Sequence, residues 1–176
     1  MSFGPFRLLM TTAGLSMALA SSSAAQKPLP QSPPPSQPEQ GEPQEGPVRE
    51  IVSVSGACQQ LIVAGDDRSA GCRGPATNIN YRNGRTSFAF VVDDVMVSFS
   101  GPSEARGGDH VTLNLDGITV ASDKGEVMSA EDATGSCEYP DPFAGRAAIH
   151  CTARTQAGQF SAAFTSDGVP PSVQEF

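Results

Sequence analysis

Apolar and polar residues alternate with a period of two through most of the chain from Val48 onward, which is the pattern of strands with one buried face. The 18 Gly and 15 Pro residues interrupt the chain at short intervals and indicate frequent turns. Short connections between strands favour antiparallel pairing. The pattern therefore predicts an all-β fold, either a small antiparallel β-barrel or a β-sandwich, with about eight to ten strands.

The middle of this domain carries the clearest signals for strand pairing. An Asn-Gly pair at 83–84 predicts a two-residue type I′ turn that places Ile79 opposite Phe88. A second tight turn at 93–94 places Phe88 opposite Phe99, in agreement with the first register. Because a slip of one residue would invert every side chain, the agreement predicts a three-stranded meander with one apolar face. That face carries Ile79, Tyr81, Phe88, Phe90, Val92, Val95, Val97 and Phe99.

Two further hairpins are predicted downstream. An Asp-Gly pair at 116–117 lies between two alternating runs and indicates a chain reversal. A four-residue loop at 155–158 would place Cys151 opposite Ala162 in a hairpin near the C-terminus. The segments with the weakest alternation are expected to be longer loops, and they are 103–109 and 129–135.

The first 25 residues have the features of a cleavable signal peptide. Arg7 supplies the positive charge, and the apolar run at 8–20 has the length of a signal-peptide core rather than of a membrane span. Small residues follow it and predict cleavage between Ala25 and Gln26. Cleavage would leave no membrane insertion, whereas the alternative is that the segment is retained as an anchor.

Residues 26–47 form a second segment of distinct composition. They hold eight prolines among Gln, Glu, Ser and Gly, and Leu29 is their only large apolar residue. Such a composition buries too little apolar surface to fold, so the segment is predicted to be a disordered proline-rich linker. The predicted organisation is therefore a signal peptide at 1–25, a linker at 26–47 and a β domain at 48–176.

Four cysteines in an exported chain indicate two disulfides rather than a thiol redox motif or a zinc site. Three pairings are possible. Sequence spacing favours the local arrangement, Cys58 with Cys72 and Cys137 with Cys151, in which each bridge closes a loop of the same length. Each crosslink is expected to stabilise the fold by about 3 kcal/mol.

Charge and motif content narrow the function only by exclusion. The formal net charge of −8 disfavours nucleic acid and anionic membrane surfaces as partners. The sequence holds no recognisable catalytic, nucleotide-binding or metal-binding motif, and its two histidines, His110 and His150, lie near many Ser and Asp residues without a defining spacing. Arg82 and Arg85 flank the 83–84 turn and are a candidate binding surface for an acidic partner.

These features predict an exported β domain that works as a binding or accessory protein in the periplasm or outside the cell. Its partner would be a protein or a small apolar ligand, and no cofactor is expected. An enzymatic role is not favoured. The alternatives are a small extracytoplasmic hydrolase whose site is dispersed along the chain, or a structural component of the cell envelope.

Overall fold

The computed structural model describes residues 46–122 and 124–176, which contain twelve strands and two short 3-10 turns, at Ser69–Gly71 and Pro142–Ala144. The predicted signal peptide, its Ala25/Gln26 cleavage site and linker residues 26–45 lie outside the described residues. The strands are β1 Val48–Val54, β2 Gly56–Val63, β3 Asp66–Asp67, β4 Cys72–Tyr81, β5 Thr86–Val92, β6 Val95–Gly101, β7 Ser103–Gly107, β8 His110–Ser122, β9 Val127–Pro140, β10 Ala148–Arg154, β11 Gln159–Ser166 and β12 Ser172–Glu175.

All twelve strands belong to one antiparallel sheet that curls into a half-barrel. The strand order is β12-β1-β4-β5-β6-β8-β9-β10-β11-β2-β3, and β7 pairs with β8 beside this path. The all-β prediction is confirmed. The strand count exceeds the expected eight to ten because short strands such as β3 and β12 have too few residues to produce a recognisable alternation.

Both predicted disulfides are present. Cys137 and Cys151 lie directly opposite each other in the β9–β10 ladder. Cys58 and Cys72 instead join β2 to the first residue of β4, two strands that share no ladder among the described pairings. The Cys58–Cys72 bridge therefore connects parts of the sheet that come close only because the sheet curls.

Apolar side chains fill the inner side of the curled sheet. Phe90 and Phe99 meet edge to face with ring centroids 5.9 Å apart, and Phe90 also lies 6.5 Å from the ring of Phe164. The interior is therefore a packed core rather than a wide channel. Its largest fully buried side chains are Phe88, Phe90, Phe99, Phe164, Leu61, Leu113, Ile118, Ile149, Val54, Val92 and Val97.

Two of the predicted registers are confirmed residue by residue. In the β5–β6 hairpin, Phe88 lies opposite Phe99 and Val92 opposite Val95. In the β10–β11 hairpin, Cys151 lies opposite Ala162. In both hairpins the turn is short and the alternation on each side is unbroken, so the local pattern was sufficient to set the register.

The predicted register of the β4–β5 hairpin is wrong by one residue. Phe88 lies opposite Asn78 rather than Ile79. The connection has three residues, since the Tyr81 amide donates to the Arg85 carbonyl at 2.9 Å and the Gly84 amide to the Tyr81 carbonyl at 3.1 Å. Gly84 adopts a left-handed φ of 85°, as expected for a type I turn that ends in a glycine bulge.

The shift of one residue exchanges the two faces of β4. The even-numbered residues Asn78 and Asn80 now share the inner face with Phe88, whereas Ile79 pairs with Ser87 on the outer face. Ile79 and Tyr81 are therefore not part of the face that contains the phenylalanines. The observed register matters for function, because it places the amides of Asn78 and Asn80 on the inner wall of the sheet.

The Asp-Gly pair at 116–117 does not reverse the chain. Strand β8 continues through it as one element of 13 residues, with a β-bulge between Leu115 and Gly117. The first half of β8 pairs with β7 and the second half with β6, so its backbone stays bonded along its length. The expected loops at 103–109 and 129–135 are also wrong, because β7 and β9 cover most of those segments.

Candidate functional site

A pocket of about 250 Å³ opens on the inner side of the curled sheet. Seven strands and the short turn after β9 contribute to its wall, so no single segment of the sequence defines it. Its lining residues are Arg49, Glu50, Val52, Val54, Asn78, Asn80, Phe88, Glu104, Arg106, Val111, Tyr139, Asp141, Pro142, Phe143 and Ile149.

The floor of the pocket is apolar. It consists of buried core side chains, so the pocket is continuous with the hydrophobic interior and excludes water from one side of anything bound there. These floor residues are Val52, Val54, Phe88, Val111 and Ile149.

A hydrogen-bonded network of polar side chains forms one wall. Thr86 Oγ1 donates to Asn80 Oδ1 at 3.0 Å, which joins β5 to β4. Asn80 Nδ2 then donates to Asn78 Oδ1 at 2.9 Å and to Glu50 Oε1 at 3.1 Å, which extends the network to β1. Glu50 also lies 4.0 Å from the guanidinium of Arg49. The network fixes the orientation of both asparagine amides.

Tyr139 and Glu104 form the opposite part of the wall. Tyr139 is buried on β9, and its ring meets Phe88 edge to face at a centroid distance of 4.7 Å. Its hydroxyl donates a hydrogen bond to Glu104 Oε1 on β7. Burial, together with the hydrogen bond to Glu104, raises the pKa of Tyr139 well above its ordinary value. The phenol therefore remains protonated and acts as a hydrogen-bond donor.

The mouth of the pocket is closed on one side by the turn after β9. Asp141 caps this turn, because its Oδ1 accepts from the Phe143 amide at 2.9 Å, and Pro142 follows at a position where its fixed φ suits the turn. This arrangement presents Phe143 at the rim, where the residue is 56% exposed. A large aromatic side chain in that position is available to cover a bound molecule.

A smaller cavity of about 190 Å³ adjoins the pocket. Arg49, Asn80 and Glu104 line both cavities, so the two cavities are neighbours that share part of a wall. Arg85 lines the smaller cavity, and its guanidinium is paired with Asp116 through N···O distances of 2.5 and 2.9 Å.

The two arginines proposed as a binding surface contact groups within the chain. Arg82 donates to the backbone carbonyl of Phe176, and Arg85 is engaged with Asp116. The side chain of Arg85 is only 13% exposed, so it is not displayed at the tip of the hairpin. The binding of an acidic partner by Arg82 and Arg85 stays a prediction.

Neither histidine belongs to the pocket. His110 begins β8 and His150 lies on β10, and both are exposed. Two acidic residues outside the pocket have partners within the chain. Asp67 accepts hydrogen bonds from the side chain and backbone of Ser69, which lower its pKa, and Asp93 forms an ion pair with Arg68 at 2.8 Å. In residues 46–122 and 124–176, no cluster of three or more His, Cys, Asp or Glu side chains has the geometry of a metal site.

The residues that give the pocket its polar character were not among the candidates predicted from the sequence. Asn78 and Asn80 occupy the interior of a strand, where asparagine is disfavoured, and that anomaly was the one available signal. Glu104 and Tyr139 come from distant segments, and their contact depends on the pairing of β7 and β9 with the two edges of β8.

Comparison with known proteins gives no assignment. No protein-family model, curated protein or solved structure matches this chain. The part of the chain that the structure describes contains no helix with the length and hydrophobicity needed to cross a lipid bilayer. The two intramolecular disulfides are compatible with an exported protein.

Proposed function

We propose that this chain is an exported binding or accessory protein that holds a small, partly apolar ligand in the pocket on the inner side of the sheet. The periplasm or the extracellular space is its proposed location. The observation that carries the proposal is the pocket itself, which combines an apolar floor with a polar wall. Sites for small molecules commonly have this composition, with a few placed polar groups that set the orientation of the ligand.

Three further observations support binding rather than catalysis. Both histidines are exposed and neither lines the pocket. Of the three lining carboxylates, Glu50 accepts from Asn80 and Glu104 accepts from Tyr139. Asp141 caps the turn that carries Phe143. The carboxylates therefore have structural partners, which gives the hydrolase alternative no support.

The test uses the neutral fluorescent probe N-phenyl-1-naphthylamine with the purified, disulfide-intact protein. Its fluorescence is expected to rise saturably, with one site per chain, because the probe leaves water for the apolar floor. The variant Phe143→Ala should weaken binding by at least about threefold, since the ring at the rim no longer covers the probe.

A matched control is provided by Phe176→Ala. Phe176 is also 56% exposed, but it does not line the pocket. This variant should bind the probe as the parent protein does. An absence of saturable fluorescence, or an equal loss of binding in the two phenylalanine variants, would contradict the proposal.

A further inference from the structure

Within residues 46–122 and 124–176, the polar network in the pocket wall ends on a donor without an acceptor. Thr86 donates to Asn80, and Asn80 donates to Asn78 and Glu50, so every earlier donor in this series has an acceptor. Among the described residues, the buried Asn78 Nδ2 donates to no hydrogen-bond acceptor. A buried amide donor of this kind is unfavourable and is rare in folded proteins.

The orientation of the Asn78 amide follows from its neighbour. Its Oδ1 accepts from Asn80 Nδ2 at 2.9 Å, and a flipped amide would place two donors against each other. The group left over is therefore an N–H donor, and only an acceptor can satisfy it.

Asn78 lies in the sheet between two residues of the apolar floor. Its ladder partner on β1 is Val52 and its partner on β5 is Phe88, and all three residues line the pocket. An acceptor that reaches Asn78 Nδ2 must therefore belong to a molecule whose remaining surface suits apolar side chains on both sides.

The charges around the pocket select against an ionised head group. The lining residues include three carboxylates, on Glu50, Glu104 and Asp141, against two guanidiniums, on Arg49 and Arg106. Glu50 belongs to the same network as the free donor, so an anionic group there would meet a like charge. A cationic ammonium group carries only hydrogen-bond donors, so it could not accept from Asn78 Nδ2. A neutral acceptor avoids both conflicts.

We propose that the pocket takes a small neutral amphiphile whose carbonyl oxygen accepts a hydrogen bond from Asn78 Nδ2. The apolar part of the ligand lies against Val52, Phe88 and Ile149. This inference rests on the proposed function and adds the chemical class of the ligand. A cavity of about 250 Å³ equals the liquid volume of about eight water molecules at about 30 Å³ each, so the ligand is a small molecule.

The test compares three probes with the same apolar chain, which are octanamide, octanoate and octylamine. Each is titrated into the isotopically labelled, disulfide-intact protein at pH 7 and followed by nuclear magnetic resonance. Octanamide should bind about threefold to tenfold more tightly than the two ionised probes, as expected for one neutral hydrogen bond, and should shift the side-chain amide signals of Asn78.

Two substitutions at position 78 separate the hydrogen bond from shape. Asn78→Ala should reduce octanamide binding by a similar factor of about threefold to tenfold, because the donor is lost. Asn78→Asp keeps the shape but replaces the donor with an acceptor, so octylamine should become the preferred probe. The control Asn114→Ala changes an exposed asparagine outside the pocket and should leave all three affinities unchanged.

The possible failures are distinguishable. If the three probes bind equally well and Asn78→Ala has no effect, the pocket binds apolar chains but the assignment of a carbonyl ligand is overturned. If octanoate binds best, the neutral head group is likewise overturned, while the proposed function stands. If no probe shifts the signals of the pocket residues, the proposed function itself fails.

Discussion

The guanidinium of Arg85 meets the carboxylate of Asp116 at two points, from Nη1 to Oδ2 at 2.9 Å and from Nη2 to Oδ1 at 2.5 Å. This ion pair joins the tip of the β4–β5 hairpin to the bulge in β8, two segments that do not pair through their backbones. The Arg85 side chain is 13% exposed and that of Asp116 is 47% exposed, so water only partly screens the interaction.

We predict that Asp116→Ala lowers the free energy of unfolding by about 1.5–3 kcal/mol, because it removes the carboxylate that pairs with the largely buried guanidinium of Arg85. A double-mutant cycle on Arg85 and Asp116 should give a coupling energy above about 1 kcal/mol. The pair between Arg68 and Asp93 is the control, since it has an N···O distance of 2.8 Å but both side chains are about half exposed. Its coupling should stay below about 1 kcal/mol. Equal couplings in chemical denaturation would contradict the prediction.

The same hairpin explains where sequence reasoning succeeded and where it failed. The β5–β6 and β10–β11 registers followed from alternation and a short turn, which are local properties. At 83–84 the Asn-Gly pair suits both a two-residue turn and a three-residue turn with a glycine bulge, and these differ in register by one residue. The hydrophobicity of Ile79 favoured the wrong alternative, because the inner wall in fact carries Asn78.

The pocket could not be predicted from the sequence for a related reason. Its wall combines residues from strands that are far apart in the chain, and their neighbours depend on the order of strands in the sheet. The Asp-Gly pair at 116–117 is also compatible with either a turn or a bulge. The bulge forms because β8 pairs with β6 and β7 on one edge and with β9 on the other. Local signals therefore predicted the fold class and the disulfides, while long-range pairing created the candidate site.

The two disulfides are predicted to protect different parts of the sheet. Both close loops with a sequence separation of 14. Removing either should therefore lower the free energy of unfolding by a similar amount, about 3 kcal/mol, because the unfolded chain gains conformational entropy. Cys137 and Cys151 lie on strands that hydrogen bonds already hold together. Cys58 and Cys72 join strands without a common ladder, so their loss should also open the sheet locally.

Hydrogen exchange measured on two double-serine variants tests this difference. Replacing Cys58 and Cys72 by serine should increase amide exchange in β2 and in the first half of β4 under native conditions. Replacing Cys137 and Cys151 should leave the β9–β10 ladder protected until the whole domain unfolds. The prediction is wrong if both variants show the same distribution of exchange.

Gly101 is predicted to be intolerant of any side chain. A Cβ at this position would lie 1.9 Å from the carbonyl oxygen of Asn114, an atom of the neighbouring backbone that cannot move without distorting β8. Gly101→Ala should therefore lower the free energy of unfolding by about 1–3 kcal/mol or more. At Gly107, in contrast, a Cβ would meet no heavy atom within 4 Å. Gly107→Ala should be neutral or stabilising by up to about 1 kcal/mol, and comparable losses in the two thermal melts would refute the steric argument.

Tyr139 is predicted to make the protein sensitive to alkaline pH. Burial and the hydrogen bond to Glu104 raise the pKa of its phenol above the ordinary value of 10.0. Below pH 10 the phenol is protonated in both the folded and the unfolded chain, so this group adds no pH dependence. Above pH 10 the unfolded phenol loses its proton while the folded one keeps it. The unfolded state then binds fewer protons, and stability falls as pH rises.

The contribution of Tyr139 is isolated by comparing the parent protein with Tyr139→Phe in urea denaturation between pH 7 and pH 11. The variant loses the hydrogen bond to Glu104 and should be less stable at pH 7. Between pH 10 and pH 11, the parent should lose up to about 1.4 kcal/mol more than the variant, because the variant has no phenol to ionise. All other groups that titrate in this range are common to both proteins and cancel in the difference. A difference between the two proteins that does not change with pH would mean that the folded chain ionises Tyr139 as readily as the unfolded chain does, and that the pocket wall admits water at this position.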